Sequence, residues 1–212
     1  MPRGKAQRSL ELIDAAREIL AEIQPATVRA VCYRLFVAAL IDSHPDEIAF
    51  LKNTTDGLIA VASGTAWSGG DNVVLAEREF PANVYPWLNL QSRGVEVRWV
   101  PERDGRLSVD DFAAAVDGRT RVVSVSSVAF LSGFRNDLAG LSALCRERDA
   151  LFVVDAIQSL GALPLQVAEL GIDCLAADGH KWLMGPEGCA LLYCSRRVLD
   201  RLGVTSLGWA SV

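Results

Sequence analysis

The sequence predicts a three-layer α/β domain around a mainly parallel sheet, starting near residue 42. Three observations carry this. Short, largely apolar runs recur at 72–75, 121–125, 151–154 and 174–177, as in strands covered on both faces. Helix-start signals stand between several of them, giving the strand–helix alternation of a parallel sheet. Two of the runs end on chemistry: the first leads to Asp155, the second to Asp178-Gly179-His180-Lys181-Trp182.

The chain has 212 residues, half of them hydrophobic, enough for one sizeable core and a small appendage. No apolar run approaches the roughly 18 residues of a membrane span. The basic start, Met1-Pro2-Arg3-Gly4-Lys5, leads into an amphipathic stretch and not into the apolar core of a signal peptide. A net charge of -5 argues against a chain-wide nucleic-acid surface. Five cysteines show neither metal spacing nor a disulfide framework, and the two histidines, His44 and His180, are too few for a zinc site. The cysteine usage suits a reducing cytoplasm.

Leu10, Ile13, Ala16, Leu20 and Ile23 recur at helical spacing over residues 8–23, and Gln24-Pro25 ends the pattern. Thr27 is placed to cap a second helix from Val28 to about Leu40. The phrase QPATVRAVCYRLF, with Arg29 and Arg34, resembles the opening of winged helix-turn-helix domains. The plainer reading is two packing helices with solvated arginines, since no wing follows. A composition break at Ile41-Asp42 divides a helical segment, 1–41, from the α/β domain, 42–212.

Residues 48–51 read as a strand, and Asn53-Thr54-Thr55-Asp56-Gly57 turns it into a helix running through Ala62. The free N–H groups of such a helix start favour an anion, and Thr54 and Thr55 add hydroxyl donors. Simple N-capping is the competing use. The strand 72–75 delivers Glu79-Phe80-Pro81-Ala82-Asn83, then a helix with Tyr85, Trp87 and Leu90. Residues 95–100 alternate as a strand, and Ser108 caps a helix to Val116. The strand 121–125 leads through Ser126-Ser127 and a Gly133-containing loop to a helix ending near Arg148.

From Leu151 to Trp182 a strand ends on Asp155, a turn carries Gln158, a short helix follows, and a second parallel strand leads to Lys181. The carboxyl ends of parallel strands are where open α/β sheets bind ligands. A partly desolvated lysine amine there loses its proton more easily, which suits imine chemistry. A neighbouring acid suits a protonated pyridine nitrogen. Gly185-Pro186-Glu187-Gly188 then turns the chain into a returning strand over 189–194, where Cys189 and Cys194 read as core residues.

The strings D-A-I-Q-S, D-G-H-K-W and G-P-E-G, in that order from Asp155 to Gly188, resemble the class V aminotransferases among the fold-type I enzymes that use pyridoxal 5′-phosphate (PLP). That superfamily includes cysteine desulfurases, kynureninases and isopenicillin-N-epimerase-like proteins. The resemblance runs from about Asp42 to Val212. It implies PLP as cofactor, an amino-acid substrate, an aminotransferase, desulfurase, lyase or epimerase reaction, and a homodimer. It makes Lys181 the internal-aldimine lysine and the base at the substrate Cα, and Asp155 the partner of the ring nitrogen. It puts Gln158 at the ring oxygen, His180 at the phosphate, and Thr54, Thr55 and the Asp56 backbone around that phosphate. Phe80 would stack on the ring as in the kynureninase-like version of its turn, with a buried core Phe80 as the alternative. Ser127 would reach toward cofactor and substrate, or else serve its own turn. Asp178 stands where desulfurases often have a phosphate-binding hydroxyl, so its anion speaks against that contact. Family members run to about twice this length and end in a small C-terminal domain, so the chain reads as a fragment. The resemblance leaves two further possibilities: a catalytically incomplete PLP-fold remnant, and a DNA-binding regulator acting through residues 1–41.

Overall fold

The computed structural model describes residues 14–16, 18 and 28–206. The helix expected over 8–23 and the Thr27 cap lie mostly or wholly outside them, as do the last six residues of the chain. The side chain of Arg29 is likewise outside what is described. No described helix is long and apolar enough to cross a membrane.

Seven strands form one sheet: β1 (Ile48–Leu51), β2 (Asn72–Ala76), β3 (Glu96–Val100), β4 (Thr120–Ser126), β5 (Leu151–Asp155), β6 (Cys174–Asp178) and β7 (Ala190–Cys194). Their spatial order is β1-β7-β6-β5-β4-β2-β3. The β2–β3, β2–β4, β4–β5 and β5–β6 pairs are parallel, and only β7 runs against its neighbours β6 and β1. The carboxyl ends of the other six strands therefore share one edge.

Strand residues alternate between two faces, and each face is covered. Val74, Val123, Val125, Phe152, Val154 and Leu175 pack with α1 (Val28–Ile41), α4 (Val109–Ala115) and α5 (Leu138–Glu147). Val73, Leu75, Val122, Leu151, Val153 and Ala176 pack on the opposite face with α2 (Thr54–Gly64) and α3 (Tyr85–Leu88). A short α6 (Arg196–Leu199) follows β7. These are the three layers expected. Val37, Ala38 and Ile41 of α1 lie in the first of these clusters, so the end of that helix belongs to the same core as the sheet.

Two expectations are corrected. Arg34 is not solvated: it is 7% exposed and donates through Nε to the Pro45 carbonyl at 2.6 Å. No helix forms between β5 and β6. Successive turns run there instead, closed by bonds such as Leu160 N–H to Ala156 O and Leu163 N–H to Ser159 O, both at 2.8–2.9 Å. Gly161 with φ +98° and the following Pro164 prevent the helical ladder from propagating, while Leu160, Leu165, Val167 and Ile172 are buried.

Helix α2 sits unusually close to the strand that leads to Lys181. A Cβ added at Gly57 would stand 2.9 Å from the Ala176 Cβ on β6. Only glycine permits that approach, which brings the start of α2 beside the ends of β1 and β6.

Candidate active site

The carboxyl edge of the sheet gathers five of the loops described above, those after β1, β2, β4, β5 and β6. Register places Ser126, the last residue of β4, opposite Asp155, the last of β5, and Asp155 opposite Ala176 on β6. Chain direction then carries β6 two residues further, to Asp178, and into the lysine loop.

Asp155 is 1% exposed. Its Oδ1 accepts the Ile157 N–H at 3.0 Å, and its buried Oδ2 has no partner among the described residues. Burial pushes this carboxyl up to about 7, against the lowering effect of the Ile157 bond and of Lys181; Glu79 and Asp178 push it further up. A buried acid with one oxygen unspent, close to a lysine, is poised to receive a cationic N–H.

Lys181 lies in a turn three residues past β6, closed by the Met184 N–H donating to the Lys181 carbonyl at 3.0 Å. The loop is pinned at its base, where the Gly179 N–H meets the Cys189 carbonyl at 2.8 Å and the Gly185 N–H meets the Gly179 carbonyl at 2.7 Å. The lysine side chain is half-buried. His180 is exposed, with Nδ1 3.9 Å from Asp178 Oδ2. Gln158 is half-buried on the turn directly after β5.

At the start of α2, Thr54 is 2% exposed and its Oγ1 is buried without a partner among the described residues. Thr55 is half-buried in the same first turn. The Asp56 N–H, given to a phosphate in the sequence reading, is engaged within the protein. It donates to the capping Asn53 Oδ1 at 2.8 Å, and the Asp56 carboxylate lies 3.5 Å from Lys52. Capping has taken that amide.

Phe80 is not a core residue. It is 45% exposed and meets Phe130 edge-on, with ring centroids 5.2 Å apart. Ser127 is buried, and its hydroxyl is engaged within the protein, 2.5 Å from the Ser159 hydroxyl and 3.2 Å from the Asp155 carbonyl. The turn role describes that side chain, which supports the Asp155 backbone. Glu79, quoted in the sequence only as part of a strand-end string, proves to bond Ser126 twice. Its signal was an acid three residues past a buried strand, a place that burial of the strand's end makes expensive unless donors meet it.

The residues present fit PLP: an orphaned buried carboxylate oxygen for a ring N–H, an orphaned buried hydroxyl at a helix start for a phosphate, an exposed ring to stack, and a lysine on the adjoining loop.

The chain is 37% identical over 180 residues to a probable cysteine desulfurase of Methanothermobacter thermautotrophicus, a match spanning 83% of this chain and 44% of that protein. Among solved structures, an apo cysteine desulfurase from Thermococcus onnurineus NA1 superposes with a TM-score of 0.80 at 28% identity, over 93% of this chain and 53% of that one. The cystine C-S lyase C-DES, in complex with its product cysteine persulfide, superposes with a TM-score of 0.77 at 28% identity, over 94% and 57%; a mutant of C-DES carries glycine covalently linked to its PLP cofactor. This chain thus spans about half the length of the relatives it matches. The aminotransferase class-V profile matches residues 14–210, and with the sheet order and these relatives it shows that the chain belongs to the aminotransferase class-V family.

Proposed function

We propose that this chain forms the cofactor-binding part of a PLP-dependent enzyme acting on an amino acid, with Lys181 as its catalytic residue. The observation that carries the reading is the buried Oδ2 of Asp155, without a partner among the described residues, at the strand end next to the one leading to Lys181. The coenzyme, when bound, supplies an electron sink for a substrate carbanion.

The chain's own residues do the rest. Asp155, held by Ile157, offers an acceptor to a ring N–H and keeps positive charge there. Thr54 and Thr55 offer hydroxyls to a dianion at the positive end of α2, and His180 adds a donor from the lysine loop. Phe80 covers one face of a flat ring, worth about 0.5–1.5 kcal/mol beyond burial. Gln158 stands on the turn after β5 as the donor to the ring oxygen. Lys181, tethered by its turn, carries an amine to the substrate Cα and moves the proton there. The Ser127 hydroxyl acts through Asp155 and not on the ligand. The Asp178 carboxylate disfavours phosphate at its own position and is better suited to orienting His180.

The same reading includes a homodimer and a cytoplasmic setting. Phe80, Phe130, Leu131, Trp182 and Met184 are exposed apolar side chains on the loops of this edge, and a second copy is the occupant the family relationship favours. Cysteine sulfur chemistry is the leading substrate class, since relatives named as cysteine desulfurases recur among the matches.

The deciding experiment adds PLP to the purified chain, records the visible absorption band, reduces with borohydride and maps the modified peptide. Label on Lys181, lost in Lys181→Ala, is the expected result. Label on Lys52 or Lys5 would remove Lys181 from its role.

A further inference from the structure

Glu79 stands three residues past β2, on the loop leading to Phe80. Its Oε1 accepts the Ser126 N–H at 2.6 Å and its Oε2 accepts the Ser126 hydroxyl at 2.5 Å. Both bonds end on the residue that register sets opposite Asp155. The Ser126 carbonyl is held in turn by Asn136 Nδ2 at 2.7 Å, and the next N–H, that of Ser127, donates to the Asp155 carbonyl at 2.9 Å. A carboxylate on the β2 loop therefore grips the end of β4, and the end of β4 grips the backbone of Asp155.

We propose that Glu79 is a positioning residue for Asp155: its two oxygens fix the end of β4 against β5, and its charge sets how readily Asp155 ionises opposite a ligand cation. This deepens the reading of Asp155 as the partner of the coenzyme's ring nitrogen, and rests on it.

The local charges agree with this role. Asp155 is faced by Glu79 from the β2 loop and by Asp178 and Lys181 from β6 and its loop, while Ser126 at the end of β4 and Ser127 just past it bring uncharged hydroxyls. Burial holds the Glu79 carboxyl above the ordinary carboxylate range, against the lowering effect of its hydrogen bonds, the two from Ser126 first. The Glu79 anion makes Asp155 hold its proton more tightly, and the Lys181 cation opposes it. A cation arriving at Asp155 Oδ2 meets the field of both acids. The second anion thus strengthens the attraction for a protonated ring nitrogen without touching it.

Glu79→Gln separates the two parts of the role. It keeps the side chain's shape and an acceptor for the Ser126 N–H but removes the charge. Glu79→Asp keeps the charge on a shorter arm. The measurement is the carboxyl ¹³C shift of Asp155 in aspartate-labelled, PLP-free protein, followed from about pH 4 to pH 9, with the signal assigned by its loss in Asp155→Asn. The expected result is a midpoint lower by roughly one unit in Glu79→Gln and close to the parent's in Glu79→Asp. A packing role alone would not produce that split. Equilibrium titration with PLP, read by its absorption, should show affinity reduced by about tenfold in Glu79→Gln. An unchanged Asp155 midpoint in a folded Glu79→Gln protein overturns the proposal. A parent chain that takes up no PLP, while its Asp155 midpoint still shifts in Glu79→Gln, leaves the positioning role standing and removes the coenzyme reading instead.

Discussion

Gly161 lies against the carbonyl of Trp182, so close that a Cβ on the glycine would stand 2.6 Å from that oxygen. The two residues belong to the turn after β5 and to the loop carrying Lys181. Their contact is backbone against backbone and has no flexible side chain to yield. The lysine's position is therefore set partly by a glycine twenty residues earlier in the chain.

Gly161→Ala should displace the Lys181–Trp182 segment. The glycine's φ of +98° adds backbone strain of about 1–3 kcal/mol for a residue with a Cβ. Chemical denaturation should show a loss of that size or more. Borohydride labelling of Lys181 in the PLP-treated variant should drop by more than the unfolded fraction explains. A variant with parent-like labelling would show that the lysine loop is positioned from elsewhere.

Asp155 makes the PLP-free protein sensitive to pH in a definite direction. Its folded value of about 7 lies above the ordinary 3.8. Between these values the unfolded chain has released the proton and the folded chain has kept it, so stability falls as pH rises through that window and levels off above about pH 7. The contribution is fully present below about pH 4. Over the whole window the loss is about 2–4 kcal/mol. Asp155→Asn should remove this slope and be more stable than the parent at pH 8 without PLP, yet lose reactivity in Cα-proton exchange with amino acids. Urea denaturation at pH 5 and pH 8, with and without PLP, checks each part.

Thr54 offers a test that separates folding from binding. Its buried hydroxyl has no partner among the described residues, so Thr54→Val should leave the PLP-free protein as stable or raise its stability by up to about 1 kcal/mol. If that hydroxyl serves a phosphate, the same change should weaken PLP binding by about tenfold, the loss of one hydrogen bond to a charged group. Thermal unfolding and a PLP titration on the same sample give both numbers. Unchanged affinity would assign Thr54 to the core.

Removing the amine at position 181 should abolish the visible PLP band while leaving the fold intact, because the lysine side chain is only half-buried on a loop. Lys181→Ala should unfold within about 0.5 kcal/mol of the parent. A large stability loss would mean that the lysine has a structural partner.

The sequence by itself determined the strands, their parallel sense and the edge where chemistry gathers. Those features follow from local pattern: the buried runs ending at Ala76, Ser126, Asp155 and Asp178 are short and largely apolar, as in strands covered on both sides. The same pattern puts Asp155, the last residue of β5, and Lys181, three residues past β6, at that edge. What each side chain then touches was decided by tertiary structure alone. The Asp56 amide faces Asn53, the Ser127 hydroxyl faces Ser159, and Arg34 reaches Pro45 from a helix that looked solvated. Glu79 is tied to the Asp155 backbone through the β4 strand that the sheet inserts between β2 and β5. A sequence pattern carries the period of an element and the residue at its end. The partner of a buried polar group depends on which distant strand is its neighbour, and strand order is fixed by how the covering helices pack, not by any one segment.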